Sequence, residues 1–475
     1  MRTIGLATLL LFTACATLPQ PSLAPCTIDE VAGDVRCGTL SVPENRAASG
    51  GRTIPLRIVI LAARGAATRD PIFILQGGPG QAASTLAEFY ARTYDGARDT
   101  RDIVLVDQRG TGASNGLHCR MTNDIDGVTV IGEMFPPENV RRCLDEARRH
   151  ADVAHYGTAD AVLDLEDVRR ALGYEALNLY GTSYGTRVAI EYARRFPRRV
   201  RTLTLKGSVP PSVVVSTAFG RDSQRSLDLL FDDCAADRSC GAAFPALRTE
   251  FDAVLRRLRE SPVAVRLSDV RGATGEVLVR ITPGLFATVT RSLLQSTGSA
   301  AELPLLIHEA AGGDFAPFAR LAARLRLGAE KELSYGMTFA VSCSEDSAAA
   351  ALAADAGEGT FLGTYWRDQL VAACGVWGNS SVTTHRQPLR SELPTLLISG
   401  TLDPATPPSY AEELRAQLPN SLHVEVRNGS HSFSGMTGCI DRIMVDFVSK
   451  GTVTGLDRAC AAAIKRPPFV VSRSK

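Results

Sequence analysis

The chain has 475 residues, too long for one ordinary domain, and length alone suggests about two to three. Hydrophobic residues make up 45% of it, as in globular proteins, which excludes a largely disordered chain. The formal net charge of +1 gives no electrostatic basis for binding nucleic acid.

The first 25 residues are expected to direct export rather than to join the folded domain. An apolar run at residues 4–12 is too short to span a bilayer, as in a secretion signal. The Pro-rich stretch at residues 17–25 is typical of a tether. The protein would then reside in the periplasm or cell envelope, or be secreted.

Cys15 is a candidate lipidation site. The four residues Phe-Thr-Ala-Cys that end at Cys15 resemble a bacterial lipobox, although Phe12 replaces the usual Leu. Ordinary signal cleavage after Ala16 or Ala24 is the alternative. Membrane anchoring through a lipidated Cys15 is therefore an expectation that competes with free secretion.

The remaining ten cysteines, an even number, indicate disulfides in an exported chain. Spacing does not prove connectivity, but sequence neighbours form plausible pairs: Cys26–Cys37, Cys119–Cys143, Cys234–Cys240, Cys343–Cys374 and Cys439–Cys460. The sequence has no Cys-x-x-Cys or His-x-x-x-His spacing, so we expect no zinc site.

Residues 26–210 have the pattern of a mostly parallel sheet. β-like stretches at residues 37–43 and 53–61 predict a hairpin at the sheet edge. Further strands are predicted at residues 70–75, 102–106, 177–180 and 200–205, and helices at 158–172 and from 187 to the Phe-Pro pair at 196–197. Alternating strands and helices predict an α/β fold with helices on both faces of the sheet.

Residues 211–390 have a different, mainly helical pattern. Helices are predicted at residues 217–231, 244–259, 285–295 and 315–327, with one small hairpin at 263–267 and 276–281. Strands resume at residues 394–400 and 422–426, within a second core segment, 391–475. An insertion between two halves of one sheet predicts a cap over the edge where α/β sheets bind ligands.

A nucleophile elbow is predicted around Ser183. A short apolar strand ends at Tyr180 and is followed by Gly-Thr-Ser-Tyr-Gly and then a helix, the context that such an elbow needs. Gly181 and Gly185 would lack side chains because strand and helix crowd the turn. The helix N-terminus behind Ser183 would favour negative charge in front of it. Chance is the alternative for the motif alone.

Two further residues would activate this serine. A serine hydroxyl needs a histidine base, itself oriented by a carboxylate. His431 lies on a loop directly after the last predicted strand, and Asp403 follows the strand before it. The order Ser183, Asp403, His431 is that of the α/β-hydrolases. An ordinary Asp-Pro turn would also explain Asp403.

Backbone donors for the tetrahedral oxyanion are predicted on two loops. The residue after the nucleophile, Tyr184, would supply one N–H group. The Gly-Gly-Pro-Gly loop at residues 77–80 would supply the other, with Gly78 as the first choice and Gly77 as the next. A plain Gly-Pro turn is the alternative. This chemistry requires no metal or cofactor.

These motifs together resemble the prolyl aminopeptidase and tripeptidyl aminopeptidase branch of the α/β-hydrolases. The resemblance rests on residues 77–80, 107–114 and 181–186 and on the segments around Asp403 and His431. It covers most of residues 35–450 and is weakest in the cap. It implies cleavage of short peptides near a free N-terminus, or of ester and arylamide analogues.

The same resemblance bears on substrate binding. The segment at residues 341–346 resembles a Cys-plus-acid segment near the end of that family's cap. An exopeptidase must neutralise a substrate ammonium with a fixed carboxylate, so Glu345 and Asp346 are candidate ligands. Acids on a loop beside a disulfide are the alternative. Lys206 departs from the family pattern, because relatives often carry an acid there.

Asp107 and Arg109 are predicted to be structural, as a buried pair that braces the loop beside the oxyanion hole. The sequence therefore predicts an exported serine aminopeptidase of prolyl or tripeptidyl type. A carboxylesterase with the same triad is one alternative, and a lipid-anchored binding protein without catalysis is another. The expected partner is a short peptide or ester, and the oligomeric state is not readable.

Overall fold

The computed structural model of the chain describes residues 20–378, 382, 384–433, 436 and 438–473. The predicted signal segment and Cys15 lie outside the described residues. Across these ranges, no helix is both long enough and apolar enough to cross a bilayer.

The central element of the described chain is a nine-stranded sheet with the order β1-β2-β3-β5-β4-β8-β9-β12-β13. Its strands are β1 Ser22–Pro25, β2 Val35–Pro43, β3 Thr53–Leu61, β4 Ile72–Leu75, β5 Ile103–Val106, β8 Leu177–Thr182, β9 Val200–Lys206, β12 Thr395–Gly400 and β13 Ser421–Val426. Strands β4, β5, β8, β9, β12 and β13 pair with one another in parallel. Strands β1, β2 and β3 form an antiparallel edge, and β3 is antiparallel to β5. The parallel sheet and the edge hairpin agree with the sequence.

Helices cover both faces of the sheet and build the cap. They are α1 Ala87–Thr93, α2 Pro137–Ala147, α3 Thr158–Ala171, α4 Tyr184–Arg195, α5 Val215–Ala236, α6 Arg238–Ala243, α7 Leu247–Glu260, α8 Pro283–Leu294, α9 Thr297–Ala300, α10 Leu303–Ala311, α11 Ala316–Glu332, α12 Tyr335–Glu345, α13 Ser347–Leu352, α14 Tyr365–Trp377, α15 Pro408–Arg415, α16 Cys439–Lys450 and α17 Ala459–Ala462. The four predicted cap helices correspond to α5, α7, α8 and α11, with ends shifted by a few residues.

The cap also contains a small sheet that the sequence predicted only in part. Its strands β6 Asn123–Ile125, β7 Val128–Ile131, β10 Val263–Leu267 and β11 Val277–Ile281 have the order β10-β11-β7-β6. The predicted hairpin is β10-β11, but β7 adds to it in parallel, with Thr129 opposite Val277. Residues 123–131 therefore pair with the cap rather than with the main sheet. Pairing between such distant segments leaves no local sequence pattern.

The predicted tether is partly a strand. Its last four residues form β1, which pairs with β2 so that Ser22 lies opposite Thr39. A Cβ atom on Gly38 would lie 1.9 Å from the Ser22 carbonyl oxygen, so the glycine permits this close pairing. The tether assignment was wrong for residues 22–25.

The five predicted disulfide pairs are all present, with Cα–Cα distances from 5.1 to 5.9 Å. The Cys343–Cys374 bridge ties α12 to α14 within the cap. Such cross-links stabilise chains mainly in oxidising compartments.

Asp107 and Arg109 do not pair with each other, which corrects the sequence-based expectation. Arg109 is fully buried and forms a two-pronged ion pair with Asp164 of α3, each N···O distance being 2.6 Å. Asp107 instead accepts hydrogen bonds from the backbone N–H and hydroxyl of Ser84, at 2.8 and 2.9 Å. Arg109 thus anchors α3, and Asp107 holds the segment that follows the Gly-Gly-Pro-Gly loop.

Candidate active site

Ser183 lies at a sharp turn between β8 and α4. Its backbone has φ 54° and ψ −125°, a strained conformation for a residue with a side chain. A Cβ atom on Gly185 would lie 2.1 Å from the Leu75 carbonyl oxygen, and one on Gly181 would lie 2.6 Å from the Gly185 carbonyl oxygen. The crowding predicted at both glycines is confirmed, and the turn has the geometry of a nucleophile elbow.

His431 and Asp403 meet at the same edge of the sheet. Asp403 follows β12, His431 follows β13, and the two strands are parallel neighbours. His431 Nδ1 is 2.8 Å from Asp403 Oδ2. The Asp403 side chain is fully buried, whereas 16% of the His431 side chain is exposed. Ser183 and His431 line one cavity, so the structure brings the three predicted residues together.

The Asp403 carboxylate is held by its own turn. Oδ1 accepts hydrogen bonds from the N–H groups of Ala405 and Thr406 at 2.7 and 2.9 Å. Burial raises the pKa of Asp403, but the charge of His431 and the hydrogen bonds from His431 and Thr406 lower it further than burial raises it. The carboxylate therefore stays ionised at neutral pH and can hold a proton on His431 Nδ1.

Thr406 is a site residue that the sequence reasoning missed. Its hydroxyl donates to Asp403 Oδ2 at 2.7 Å and lies 3.1 Å from His431 Nδ1. A Cβ atom on Gly207 would approach Thr406 Oγ1 to 2.9 Å and His431 Cε1 to 3.3 Å, so glycine leaves room for both. The available signal was the Asp-Pro-Ala-Thr pattern, which is typical of a turn closed by the aspartate side chain.

The predicted oxyanion donors lie beside Ser183. Tyr184 begins α4, and the Gly77–Gly78 pair follows β4, the strand adjacent to β8. Gly77, the second choice from the sequence, makes the closer approach: a Cβ atom there would lie 2.9 Å from Ser183 Cβ and 3.5 Å from Ser183 Oγ. The Gly77 N–H has an acceptor in Gln76 Oε1 at 3.3 Å. Gly78 and Tyr184 line the same cavity.

The cavity has a volume of about 1010 Å³ and lies between sheet and cap. Ser183 and His431 belong to its core side, and α5, α8, α11, α12 and α14 supply its cap side. The cap therefore encloses the space in front of the candidate nucleophile and can determine which substrates fit. Within the described ranges, no cluster of His, Cys, Asp or Glu is suited to hold a metal ion.

Glu345 and Asp346 are buried together: Glu345 is the last residue of α12, and Asp346 is the single residue between α12 and α13, close to the Cys343–Cys374 bridge. Arg187 Nη1 lies 3.3 Å from an oxygen of each. Glu345 also accepts a hydrogen bond from the Thr158 N–H at 2.8 Å. Burial raises the pKa of Glu345, and Arg187 and Thr158 oppose this rise. Asp346 and Arg187 line the cavity.

Other charges surround this acidic pair. Arg386 Nη2 lies 3.5 Å from Asp346 Oδ1. Burial and the nearby charges of Arg187 and Arg386 lower the pKa of His385 to about 3, so its ring is neutral. Two arginines therefore already balance the two carboxylates. Sequence reasoning missed Arg187, although its position one helical turn after Ser183 placed it near the site.

Comparison with known proteins supports the class. Residues 70–231 match the family model described as the alpha/beta hydrolase fold, and residues 359–460 match the model described as TAP-like protein. Serine protease Hip1 of Mycobacterium tuberculosis is 27% identical over 481 residues, covering 91% of this chain and 88% of that protein.

Two shorter matches are to peptidases. Tripeptidyl aminopeptidase of Streptomyces lividans is 26% identical over 196 residues, or 38% of this chain and 36% of that protein. Proline iminopeptidase of Neisseria gonorrhoeae is 28% identical over 137 residues, or 29% of this chain and 32% of that protein. The chain is a serine hydrolase of the α/β-hydrolase fold. Within that class, parts of the chain are similar to tripeptidyl aminopeptidase and proline iminopeptidase, and residues 359–460 match the TAP-like model.

Proposed function

We propose that the chain is an exported serine peptidase of aminopeptidase type, which releases short N-terminal fragments of prolyl or tripeptidyl size. The observation that carries this proposal is the Asp403–His431 hydrogen bond at the cavity that also contains Ser183. The relatives named aminopeptidase and iminopeptidase support the direction of cleavage.

In the proposed reaction, Ser183 Oγ attacks the acyl carbon while His431 Nε2 takes its proton. The protonated His431 then gives that proton to the leaving amine, and an acyl-enzyme remains. Water, activated by His431, releases the acid and restores Ser183. Asp403 keeps the imidazole oriented throughout. The N–H groups of Tyr184 and Gly78 hold the oxyanion, each contributing about 3 kcal/mol in the transition state.

The substrate ammonium is proposed to bind at Asp346, with Glu345 as its buried support. Asp346 lines the cavity and is held by Arg187 at 3.3 Å, so its carboxylate is fixed before substrate arrives. A fixed carboxylate in a partly dry cavity is what binding of a free amino terminus requires.

The carboxylesterase alternative keeps one observation in its favour. Arg187 and Arg386 already balance Glu345 and Asp346, and the cavity wall also contains Lys206 where relatives often carry an acid. In a cavity with this balance of charge, no negative charge is left over for a cationic substrate to neutralise. An ester substrate without an amino group would use the same serine, base and oxyanion donors.

Free and N-acetylated alanyl and prolyl peptide arylamides distinguish these functions. We expect kcat/KM for the free amines to exceed that for the acetylated forms by about 10- to 100-fold, because acetylation removes a charge-assisted hydrogen bond. The measurement is release of the arylamine by the full-length protein.

p-Nitrophenyl butyrate, which has no amino group, is the control for an intact catalytic apparatus. Turnover of this ester alone would establish the esterase and rule out the ammonium site. Equal turnover of free and acetylated peptides would remove Asp346 from the proposal while leaving a serine peptidase.

Export and lipid anchoring are proposed from the five disulfides, which persist in oxidising compartments, and from the lipobox-like segment. Mass spectrometry of the protein from the membrane fraction is expected to show an N-terminal peptide that begins at a lipidated Cys15. An unmodified N-terminus beyond Cys15 would contradict anchoring, and Cys15→Ser is expected to release the protein from that fraction.

A further inference from the structure

Arg291 of α8 is a buried cation on the cavity wall. Only 4% of the residue is exposed. Its guanidinium carbon lies 3.6 Å from the centroid of the Phe219 ring and 4.9 Å from that of Trp366. Within the described residues, Arg291 forms no hydrogen bond or ion pair, and Nε is buried without a partner. Stacking on aromatic rings thus holds the guanidinium while leaving its donors free.

The other buried arginines among the described residues have hydrogen-bond or ion-pair partners: Arg101, Arg109, Arg169 and Arg187 pair with carboxylates, and Arg98 donates to the carbonyl oxygens of Ala32 and Ala62. Arg109 is paired with Asp164 at 2.6 Å, and Arg187 with Glu345 and Asp346 at 3.3 Å. Burying a charge without a partner is unfavourable because the charge loses its hydration, so buried charges are normally paired. The free donors of Arg291 therefore call for an anion from outside the chain.

Arg291 keeps its charge at neutral pH. Burial lowers its pKa to about 10, and the carboxylates of Asp403 and Asp222 oppose this fall. No acidic oxygen among the described residues lies within 4.0 Å of its nitrogens, the limit for an ion pair. A charged guanidinium with free donors is suited to a carboxylate, which it can bind through two parallel hydrogen bonds.

Arg291 lies on a helix whose C-terminal end is attached to the loop that carries His431. The Ser432 N–H donates to the carbonyl oxygen of Gln295 at 2.9 Å, and Ser430 Oγ donates to that of Leu294 at 2.6 Å. These bonds attach the C-terminal end of α8 to the loop that carries His431. Arg291 precedes Gln295 by four residues, a rise of about 6 Å along a helix. Ser183 and Arg291 line the same cavity, so a substrate held at Ser183 can extend towards Arg291.

Two buried hydroxyl groups on the same part of the cavity wall as Arg291 also lack hydrogen-bond partners. Ser216 Oγ of α5 and Thr288 Oγ1 of α8 have no hydrogen-bond partner among the described residues, and both residues line the cavity. Thr288 precedes Arg291 by one helical turn, so the two share a face of α8. The wall formed by α5 and α8 thus combines a free guanidinium with unpaired hydroxyls.

We propose that Arg291 is a specificity-determining residue that binds a carboxylate of the substrate. The substrates would be short peptides with an anionic group near the scissile bond, either an acidic side chain or the free C-terminal carboxylate. The inference rests on the proposed function for the place of the scissile bond, but the carboxylate site itself rests on Arg291 and its surroundings.

The test is binding of three matched pentapeptides to Ser183→Ala protein, measured by calorimetry. One alanine peptide ends in a free carboxylate, one is amidated, and one is amidated but carries glutamate within the chain. We expect at least one of the two peptides with an added carboxylate to bind about 10- to 100-fold more tightly than the neutral amide. The stronger of the two identifies whether the terminus or the side chain is the source.

Arg291→Met in the same background is expected to bring these affinity ratios to within about twofold of one. Arg291→Lys keeps the charge without the planar fork, so part of the preference should remain. Arg324→Met removes the same charge from an exposed position on the cavity wall and should leave the ratios unchanged. Equal affinities in the Ser183→Ala protein, or no measurable binding of either carboxylate peptide, would overturn the proposal.

Thermal unfolding separates binding from a packing role. Arg291→Met removes an unpaired buried charge and keeps an apolar side chain of similar length, so Tm should not fall. A lower Tm together with unchanged affinity ratios would show that Arg291 only supports the cap. Hydrolysis by wild type that is lost in Ser183→Ala tests the proposed function independently, because it requires no difference between the three peptides.

Discussion

Ser183→Ala is expected to lower kcat for peptide arylamides and for p-nitrophenyl butyrate by roughly 10⁴- to 10⁶-fold. Covalent catalysis ends without the hydroxyl, and His431 then has no nucleophile to activate. The oxyanion donors and the cavity remain, which leaves a residual rate above that in water. The measurement is single-turnover and steady-state hydrolysis with the full-length protein.

A serine elsewhere on the cavity wall provides the matched control. Ser342 lines the same cavity from α12, and Ser342→Ala is expected to change kcat less than about tenfold. A fluorophosphonate probe should modify wild type on the peptide that contains Ser183 and should not modify Ser183→Ala. Full activity of Ser183→Ala, or labelling of another serine, would show that the candidate site is wrong.

Arg109→Leu is expected to lower the free energy of unfolding by about 3 kcal/mol. Arg109 is fully buried, and its loss leaves the Asp164 carboxylate without its two-pronged partner. The carbonyl oxygens of Glu44 and His155, 2.9 and 2.6 Å from Arg109 Nη1, also lose their donor. Arg46 still pairs with Asp164 at 2.6 Å, which keeps the loss near the lower end of the range for broken buried pairs. Urea denaturation followed by circular dichroism measures the change.

The control for Arg109 is an exposed ion pair. Arg266 and Glu276 pair at 3.3 Å with 63% and 58% of their side chains exposed. Arg266→Leu should change stability by less than about 1 kcal/mol, because solvent screens such pairs. Adding Asp164→Leu to Arg109→Leu should recover part of the loss, since it removes the stranded carboxylate. Equal effects of Arg109→Leu and Arg266→Leu would contradict the structural role of the buried pair.

The sequence predicted those parts of the site that local patterns encode. One turn of five residues requires glycine at both Gly181 and Gly185. The structure shows carbonyl oxygens where their Cβ atoms would be. Asp403 and His431 follow consecutive parallel strands, whose C-terminal ends meet at one edge of the sheet. Strand ends and motif order therefore sufficed to bring Ser183, Asp403 and His431 into one region.

Long side chains were assigned less well. Arg109 was expected to pair with Asp107, two residues away, and instead reaches Asp164 on α3. Glu345 and Asp346 were considered without Arg187, which approaches both from α4. An ion pair depends on which elements the fold places together, and spacing along the chain does not contain that information.

By itself, the sequence determined the α/β order of elements, the nucleophile elbow and the order of the candidate triad, and it suggested the pairing of neighbouring cysteines without proving it. These features depend on hydrophobic periodicity, turn chemistry and short separations along the chain, all of which can be read from a local stretch of sequence. Only the tertiary structure decided that β7 joins β11, that Thr406 supports Asp403, and that Arg291 lies on the cavity wall with no hydrogen-bond or ion-pair partner among the described residues. Each of those depends on contacts between distant segments, where register, burial and the absence of a counter-charge are properties of packing.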